Sequence, residues 1–386
     1  MKVTVIGAGA AGLCCAAIVK RQFNADVRIL EKGTEAEMPG VGVALLPFSI
    51  AEVRLLDRDL YPAYAEMFIQ IPRQTESFAG LSKDPKLSRV TRFQENQYAG
   101  VKRSQLLTFL KEAVKRAGIP VEYEAEVTPE RVRAEKASVD LLIGGDGAGS
   151  TVRAAFADKF APRSVEAKSR FAWLELEGDL DRFLFGYIYV AGKGLIRITA
   201  YPHAKGESSA IITHSMGLTA TLDAPGMLDA DGNISEQGLA QINEYFAPGL
   251  GGRRLKGASR WRRFRATNCQ NATFENVALV GDSYATLFYE TGWGTSVAIQ
   301  SAQILGHALQ REKEIGAALS LYDRKVAELN RGAIMATTKT MLASKRLIRP
   351  RRGSVSSLLL LRNWRDLLRQ SELRGRVLFT RTLPSA

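Results

Sequence analysis

The chain has 386 residues, with 46% hydrophobic and 24% charged side chains, an ordinary globular composition that excludes a disordered or fibrous protein and holds a large core in two domains with a helical appendage. No run of 18 apolar residues and no basic-then-apolar leader is present, and three cysteines and three scattered histidines build neither a disulfide framework nor a metal site, so a cytoplasmic protein without metal is expected. Lys and Arg number 53 against 40 Asp and Glu, a formal net charge of +13, which attracts anionic partners such as polyphosphates, acidic carrier proteins, nucleic acid or a membrane surface without choosing among them.

The first element is "VTVIGAGAAG", in which the β-formers Val3 to Ile6 run into Gly7, Gly9 and Gly12 and a small-residue helix begins at Ala10-Ala11. Strand, tight turn and helix in that order make a phosphate cradle: Gly7 permits the turn, Gly9 lets backbone approach a pyrophosphate, and Gly12 lets the helix pack on the strand. The second strand, "DVRILEK", ends in Glu31 and Lys32, and an acid nineteen residues past Gly12 is placed to accept from ribose hydroxyls. A dinucleotide site follows, its identity open at this point.

"PGVGVALLP" comes next, a glycine-rich stretch over Gly40 to Val43, and then a mixed segment to 97. "RSQLLTFLKEAVKRAG" reads as a helix with Leu106, Leu107, Phe109, Leu110 and Val114 near one face, closed by Gly118, with "IPVEYEAEV" a strand after it. "VDLLIGGDGAGSTVR" is a buried strand followed by Gly144-Gly145-Asp146-Gly147. From 168 to 214 the aromatic and β-branched runs "RFAWLELEG", "FGYIYVAGKGLIRITAY" and "SAIITHS" read as antiparallel sheet, a second domain inserted in the first. "NVALVGDSYATLFYETGWGTSVAIQSAQILGHALQ" returns to strand, Gly/Asp loop and a helix from about Thr295, and 315–386 reads as helices.

Three of these motifs, in order, resemble the class A FAD-dependent aromatic monooxygenases: GxGxxG at Gly7–Gly12; a DG motif in which Asp140, Gly144, Asp146, Gly147, Ser150 and Arg153 fit D-x-x-x-G-x-D-G-x-x-S-x-V-R; and a GD motif, "VALVGD", with Gly281 and Asp282. The flavour is most similar to the aryl-CoA hydroxylases and the related violacein-pathway hydroxylase, on "RFAWLELEG", on "AYPH" with "SAIITHS", and on "WRRFRATNC" before the GD motif. The resemblance runs to about residue 330.

It implies an α/β fold, a Rossmann-like FAD-binding domain with a parallel sheet of glutathione-reductase type (1–60, 98–165 and 265–325). An inserted antiparallel-sheet substrate domain (61–97 and 166–264) and a C-terminal helical, basic segment (326–386) complete it. It also implies FAD, with Glu31 on the adenosine ribose, Arg103 near the pyrophosphate or ribose, Asp282 near the pyrophosphate and ribityl chain, Gly40 to Val43, with Gly42 among them, along the isoalloxazine, and Asp146 and Gly147 in the DG motif. Gly292, Trp293, Gly294 and Thr295 lie where a helix would aim its positive end at the flavin ring. The activity implied is hydroxylation of an electron-rich aromatic ring by a C4a-hydroperoxyflavin, with NADH or NADPH and O2 as co-substrates, in secondary metabolism or aromatic degradation. A single GxGxxG leaves the nicotinamide to dock transiently or another protein to deliver reduced flavin.

The flavin loop departs from the family's D-A-A-H-x-x-x-P-x-x-G-x-G: the histidine position is Ala285 and the proline position Tyr289. Tyr284, Phe288, Tyr289 and Trp293 crowd the loop, either as an aromatic sandwich for substrate or as packing within the domain. No catalytic base stands out; His203, His214, Tyr289 and Glu290 are the candidates. The substrate partner is a small aromatic, free or tethered to CoA or a carrier protein, and no nucleic acid. Rival readings are a flavin-dependent dehydrogenase or oxidase on the same fold, and a flavoprotein that mainly binds a carrier protein or membrane. For the latter the tail "LRNWRDLLRQSELRGR" offers Leu361, Trp364 and Leu368 on one helical face beside Arg362, Arg365 and Arg369.

Overall fold

The computed structural model describes residues 1–37, 41–79, 88–92, 98–190, 193–289 and 292–346. Glu290, Gly40 and the basic tail with its proposed amphipathic helix lie outside these. Among the described residues no helix is long and apolar enough to cross a membrane, and no cluster of His, Cys, Asp and Glu could hold a metal ion.

A six-stranded sheet runs in the order β16 (Thr273–Phe274), β17 (Val277–Leu279), β9 (Leu141–Gly144), β1 (Lys2–Ile6), β2 (Asp26–Leu30) and β8 (Val121–Glu122). It is parallel except for the β16–β17 edge. β1 and β9 read as continuous apolar runs because helices cover the sheet; every residue from Val3 to Ile6 and from Leu141 to Gly144 is buried. The covering helices include α1 (Ala10–Phe23), α2 (Pro47–Leu56), α3 (Arg103–Arg116) and α4 (Pro129–Ser138), with the short α5 (Thr151–Ala155) and α6 (Ala157–Phe160) after β9. The chain moves from β1 to β2 on one side and places β9 on the other, so the carboxyl ends of β1 and β9 form the switch point where such sheets bind ligands.

The second sheet has eight strands: β14 (Leu255–Lys256), β10 (Pro162–Glu177), β13 (Glu207–His214), β12 (Gly194–Ala204), β11 (Phe183–Val190), β5 (Arg73–Ala79) and β6 (Ser88–Arg92) in order, with β15 (Arg262–Cys269) also paired to β10. Pairing is antiparallel except between β11 and β5. One face carries a separate core of Leu174, Leu176, Ile196, Ile198 and Ile212, to which α7 (Thr219–Leu222) and α8 (Glu236–Leu250) contribute Leu222, Ile242 and Phe246. A three-stranded sheet of β3 (Gly42–Leu45), β7 (Ala99–Lys102) and β4 (Ile69–Gln70) lies against β12. The helices α9 (Gly294–Arg311) and α10 (Ile315–Arg346) close the described chain.

Several local expectations shift. The strand expected over "IPVEYEAEV" shortens to Val121–Glu122, an edge pairing in a segment rich in exposed charge. α3 ends at Arg116 with Ala117 as its C-cap, and Gly118 follows in the left-handed region at φ +67°. α9 begins at Gly294, one residue before the expected start. All three cysteines are buried and free, and burial holds the thiols of Cys14 and Cys15 protonated.

Candidate functional site

Three loops leave the carboxyl edge of the parallel sheet at β1, β9 and β17 and pack on one another. Gly7 turns the first at φ +101°, where a Cβ would lie 2.5 Å from the Gly145 carbonyl oxygen. A Cβ on Gly12 would lie 2.0 Å from the Gly7 oxygen, so α1 starts hard against its own strand. Gly281, in the turn after β17, sits between Ala11 of α1 and Ala298 of α9, and its N–H donates to Ser301 Oγ at 3.0 Å. The GxGxxG and GD motifs, 269 residues apart between Gly12 and Gly281, therefore meet through small side chains.

Two helix N-termini open at this meeting place. α1 has Gly9 at its N-cap with no side-chain cap, and the nearest atom to a Cβ there is Gly145 O at 4.0 Å; Ala10 and Ala11 form the first turn. α9 has Trp293 at its N-cap, again with no side-chain cap, and a Cβ on Gly292 or Gly294 would meet nothing within 4 Å. Free N–H groups and helix dipoles favour anions at both ends. Glu31 ends β2 beside the first of them: its carboxylate accepts from the N–H of Ala8 and, at 2.8 Å, of Gly33. Lys32 follows it at the surface, and Thr295 lies half-buried in the first turn of α9.

Asp282 and Arg103 influence each other electrostatically. Burial pushes the Asp282 carboxyl up to about 6, against the pull of Arg103 and Arg153, and burial also lowers the Arg103 guanidinium below its ordinary range. Arg103 opens α3, its N–H bonded to Val41 O at 3.1 Å, which ties the helix to the strand carrying Gly42 and Val43. Asp146 has a split role: Oδ2 caps α5 through the N–H of Thr151 (2.6 Å) and Val152 (3.1 Å), while Oδ1 is buried without a hydrogen-bond partner. Gly147 follows at φ +78° with open space at its Cβ position. Arg153 donates to Ser283 O at 2.8 Å and to Ala148 O, strapping the DG loop to the GD loop.

The eight-stranded sheet meets this edge through Tyr289. Its hydroxyl hydrogen-bonds Thr213 Oγ1 at 2.8 Å, and its ring lies 4.3 Å from Phe171, 4.5 Å from Phe288 and 5.6 Å from Phe264. Cross-strand register places Phe171, Thr213, Arg197 and Tyr187 in one row of this face and Trp173, Ile211, Thr199 and Phe185 in the next. The other crowded aromatics pack locally: Tyr284 and Phe288 are buried, and Trp293 rests on Leu287, Val297 and Ala333.

The two histidine candidates are not brought to that row. His214 follows Thr213 and so leaves the sheet on the opposite face, where its ring is edge-on to Trp261 at 4.6 Å and Nδ1 lies 2.9 Å from Ser215 O. Burial depresses its pKa. His203 is buried behind β3, where a Cβ on Gly42 would lie 2.4 Å from the His203 Cβ; Nδ1 lies 3.1 Å from Ser209 Oγ, and Nε2 lies 3.5 Å from Glu207, itself bonded to Lys102 at 2.8 Å. Burial lowers its pKa as well, against the pull of Glu207. Beside it Tyr201 donates its hydroxyl proton to Gly42 O at 2.9 Å. Thr213, Phe171, Phe264 and Tyr201, which make these contacts, carry no motif that singles them out in the sequence. Alternation of period two in "SAIITHS" already separates Thr213 from His214, but nothing local says which face meets the nucleotide sheet.

The residues present fit FAD. Two uncapped helix ends and the Arg103 guanidinium gather at one sheet edge as donors for a pyrophosphate, and the carboxylates of Glu31, Asp282 and Asp146, whose Oδ1 is unpartnered, lie beside them as acceptors for the hydroxyls of a dinucleotide.

Residues 5–36 match the family model of the NAD(P)-binding Rossmann-like domain. The chain is 26% identical over 338 residues to the salicyloyl-CoA 5-hydroxylase of a Streptomyces species; the match covers 84% of this chain and 62% of that protein, less than two thirds of its length. It is 26% identical over 380 residues to the 3-hydroxy-4-methyl-anthranilyl-[aryl-carrier protein] 5-monooxygenase of Streptosporangium sibiricum, across 95% of this chain and 97% of the relative. The solved structure of a probable FAD-dependent monooxygenase from Pseudomonas aeruginosa shares the fold at a TM-score of 0.70 and 17% identity, over 90% of this chain and 98% of that one. In its motif order and in these distant relatives the chain is similar to the FAD-dependent aromatic monooxygenases, and it shares their fold.

Proposed function

We propose that the protein uses NADH or NADPH and O2 to hydroxylate an electron-rich aromatic ring presented as a thioester, with bound FAD supplying the redox and oxygen-activating chemistry. The observation that carries this reading is Tyr289, which joins the loop before α9 to an aromatic face of the second sheet, so that ring and flavin edges would be held at one place. In this reading the N–H groups of α1 hold the pyrophosphate, Glu31 the ribose, and the Arg103–Asp282 pair the linker beside them. The uncapped α9 N-terminus would offer its N–H groups and positive dipole end to the flavin ring. Phe171, Phe264 and Tyr289 exclude water and orient the substrate ring. The division into an FAD-binding domain and an inserted substrate domain at the expected boundaries belongs to the same proposal.

The test is direct. Purified protein should be yellow and release FAD on denaturation, and a panel of aryl-CoA thioesters should accelerate its NAD(P)H oxidation with a hydroxylated product. Release of FMN, or oxidation that no aromatic compound accelerates, would overturn it.

A further inference from the structure

On the reading just given, we propose that the exposed arginines Arg262, Arg263 and Arg265 of β15 form a phosphate-binding rim that receives the phosphopantetheine arm carrying the aromatic substrate. In the antiparallel pairing of β15 with β10, Arg262 stands opposite Phe171, Arg263 opposite Arg170 and Arg265 opposite Glu166. Phe171 is the ring 4.3 Å from Tyr289, and Phe264, between the arginines, lies 5.2 Å from Phe288 and 5.6 Å from Tyr289. One short strand thus presents aromatic surface to the site and three guanidiniums to solvent.

The local charge is not balanced. Glu166 lies 3.6 Å from Arg263 and 3.7 Å from Arg265, and Arg262 makes no ion pair among the described residues. Lys168 is exposed on the partner strand. Val165, one of the few large apolar side chains exposed on the described surface, lies in that strand as well. Clustered like charges repel, whereas guanidiniums bind phosphate in a bidentate fork that lysines do not match. A thioester on phosphopantetheine has the matching layout, an apolar ring at one end and a phosphate at the other. Coenzyme A and carrier proteins both present it, and both kinds of substrate occur in the names of the relatives.

Calorimetry on the FAD-loaded protein with pantetheine, 4′-phosphopantetheine and coenzyme A, at low and high salt, tests the rim. Wild type should bind both phosphorylated probes more tightly than pantetheine. Arg262→Gln, Arg263→Gln and Arg265→Gln together should weaken them about tenfold at low salt, the product of three exposed charge contacts, and less at high salt. Pantetheine binding should not change. Arg311→Gln, Lys313→Gln and Arg324→Gln, the same charge change at the far end of α9, in the connection after it and in α10, should leave all three affinities alone. Tighter binding of coenzyme A than of phosphopantetheine would support a soluble thioester; stronger competition by a phosphopantetheinylated carrier domain would support a carrier-bound one. Equal affinity of wild type for pantetheine and phosphopantetheine, or equal losses in the two triple variants, overturns the proposal. Retained FAD absorbance in the variants separates that failure from failure of the flavin reading.

Discussion

Tyr289 occupies the place where the family pattern has a proline, and its substitution should show how the loop before α9 is held. Its hydroxyl bonds Thr213 Oγ1 at 2.8 Å in a partly buried setting, and the Gly292 N–H donates to the Tyr289 carbonyl oxygen at 3.0 Å, so exchange of the Gly292 amide reports on the loop. Tyr289→Phe keeps the ring contacts and removes one hydrogen bond, a loss of about 1 kcal/mol; Thr213→Val removes the same bond from the other side for a similar cost. Because the bond is shared, the double variant should lose about 1 kcal/mol again rather than about 2. Tyr289→Ala also empties the space against Phe171, Phe264 and Phe288 and should cost about 3 kcal/mol. In hydrogen exchange, 1 kcal/mol of local stability is about a fivefold faster rate. Equal, non-additive acceleration at Gly292 in the single and double variants is expected. Additive effects, or no acceleration in either single variant, would refute the claim that this pair holds the loop.

Glu31→Ala should weaken FAD binding by about 1.5–3 kcal/mol, measured as the Kd of apoprotein for added FAD, if its carboxylate accepts from the ribose as proposed. Gly294→Val should leave the melting temperature of apoprotein close to wild type, because a Cβ there meets nothing within 4 Å, yet lower FAD affinity; Gly12→Ala, whose Cβ would lie 2.0 Å from the Gly7 oxygen, should reduce stability and FAD affinity together. Asp282, pushed up to about 6 by burial, ionises at a cost in the folded apoprotein that is absent below the unfolded pKa near 4 and complete above about 6. Asp282→Asn should therefore gain stability relative to wild type as pH rises from 4 to 7, by on the order of 1–3 kcal/mol in denaturant titrations; a constant difference across that range would contradict the burial argument.

The nucleotide half of the molecule was legible because its signals are local. Gly7, Gly12 and Glu31 belong to one strand–turn–helix–strand unit, and their close approaches to backbone follow from the absence of side chains at the two glycines. The DG and GD motifs were legible as motifs, but the Arg153 strap between their loops joins residues 130 apart and is visible only once β9 and β17 are neighbours. The aromatic face was partly legible: strands β10, β12 and β13 show their alternation, yet sequence period alone assigns no face to the site. That ambiguity kept His214 among the candidates while Thr213, its neighbour, meets Tyr289. His203 illustrates a different gap, since its burial against Gly42 depends on the approach of a third sheet that pairs strands 57 residues apart.

Isotopic oxygen distinguishes insertion of oxygen into an aromatic ring at an FAD site from the rival reactions. With NAD(P)H, an aryl-CoA thioester that stimulates turnover and labelled O2, the hydroxylated product should carry one labelled oxygen atom for each ring hydroxyl formed. Product oxygen derived from labelled water, or consumption of O2 to hydrogen peroxide with the ring unchanged, would contradict it and favour a flavin-dependent dehydrogenase or oxidase on the same fold.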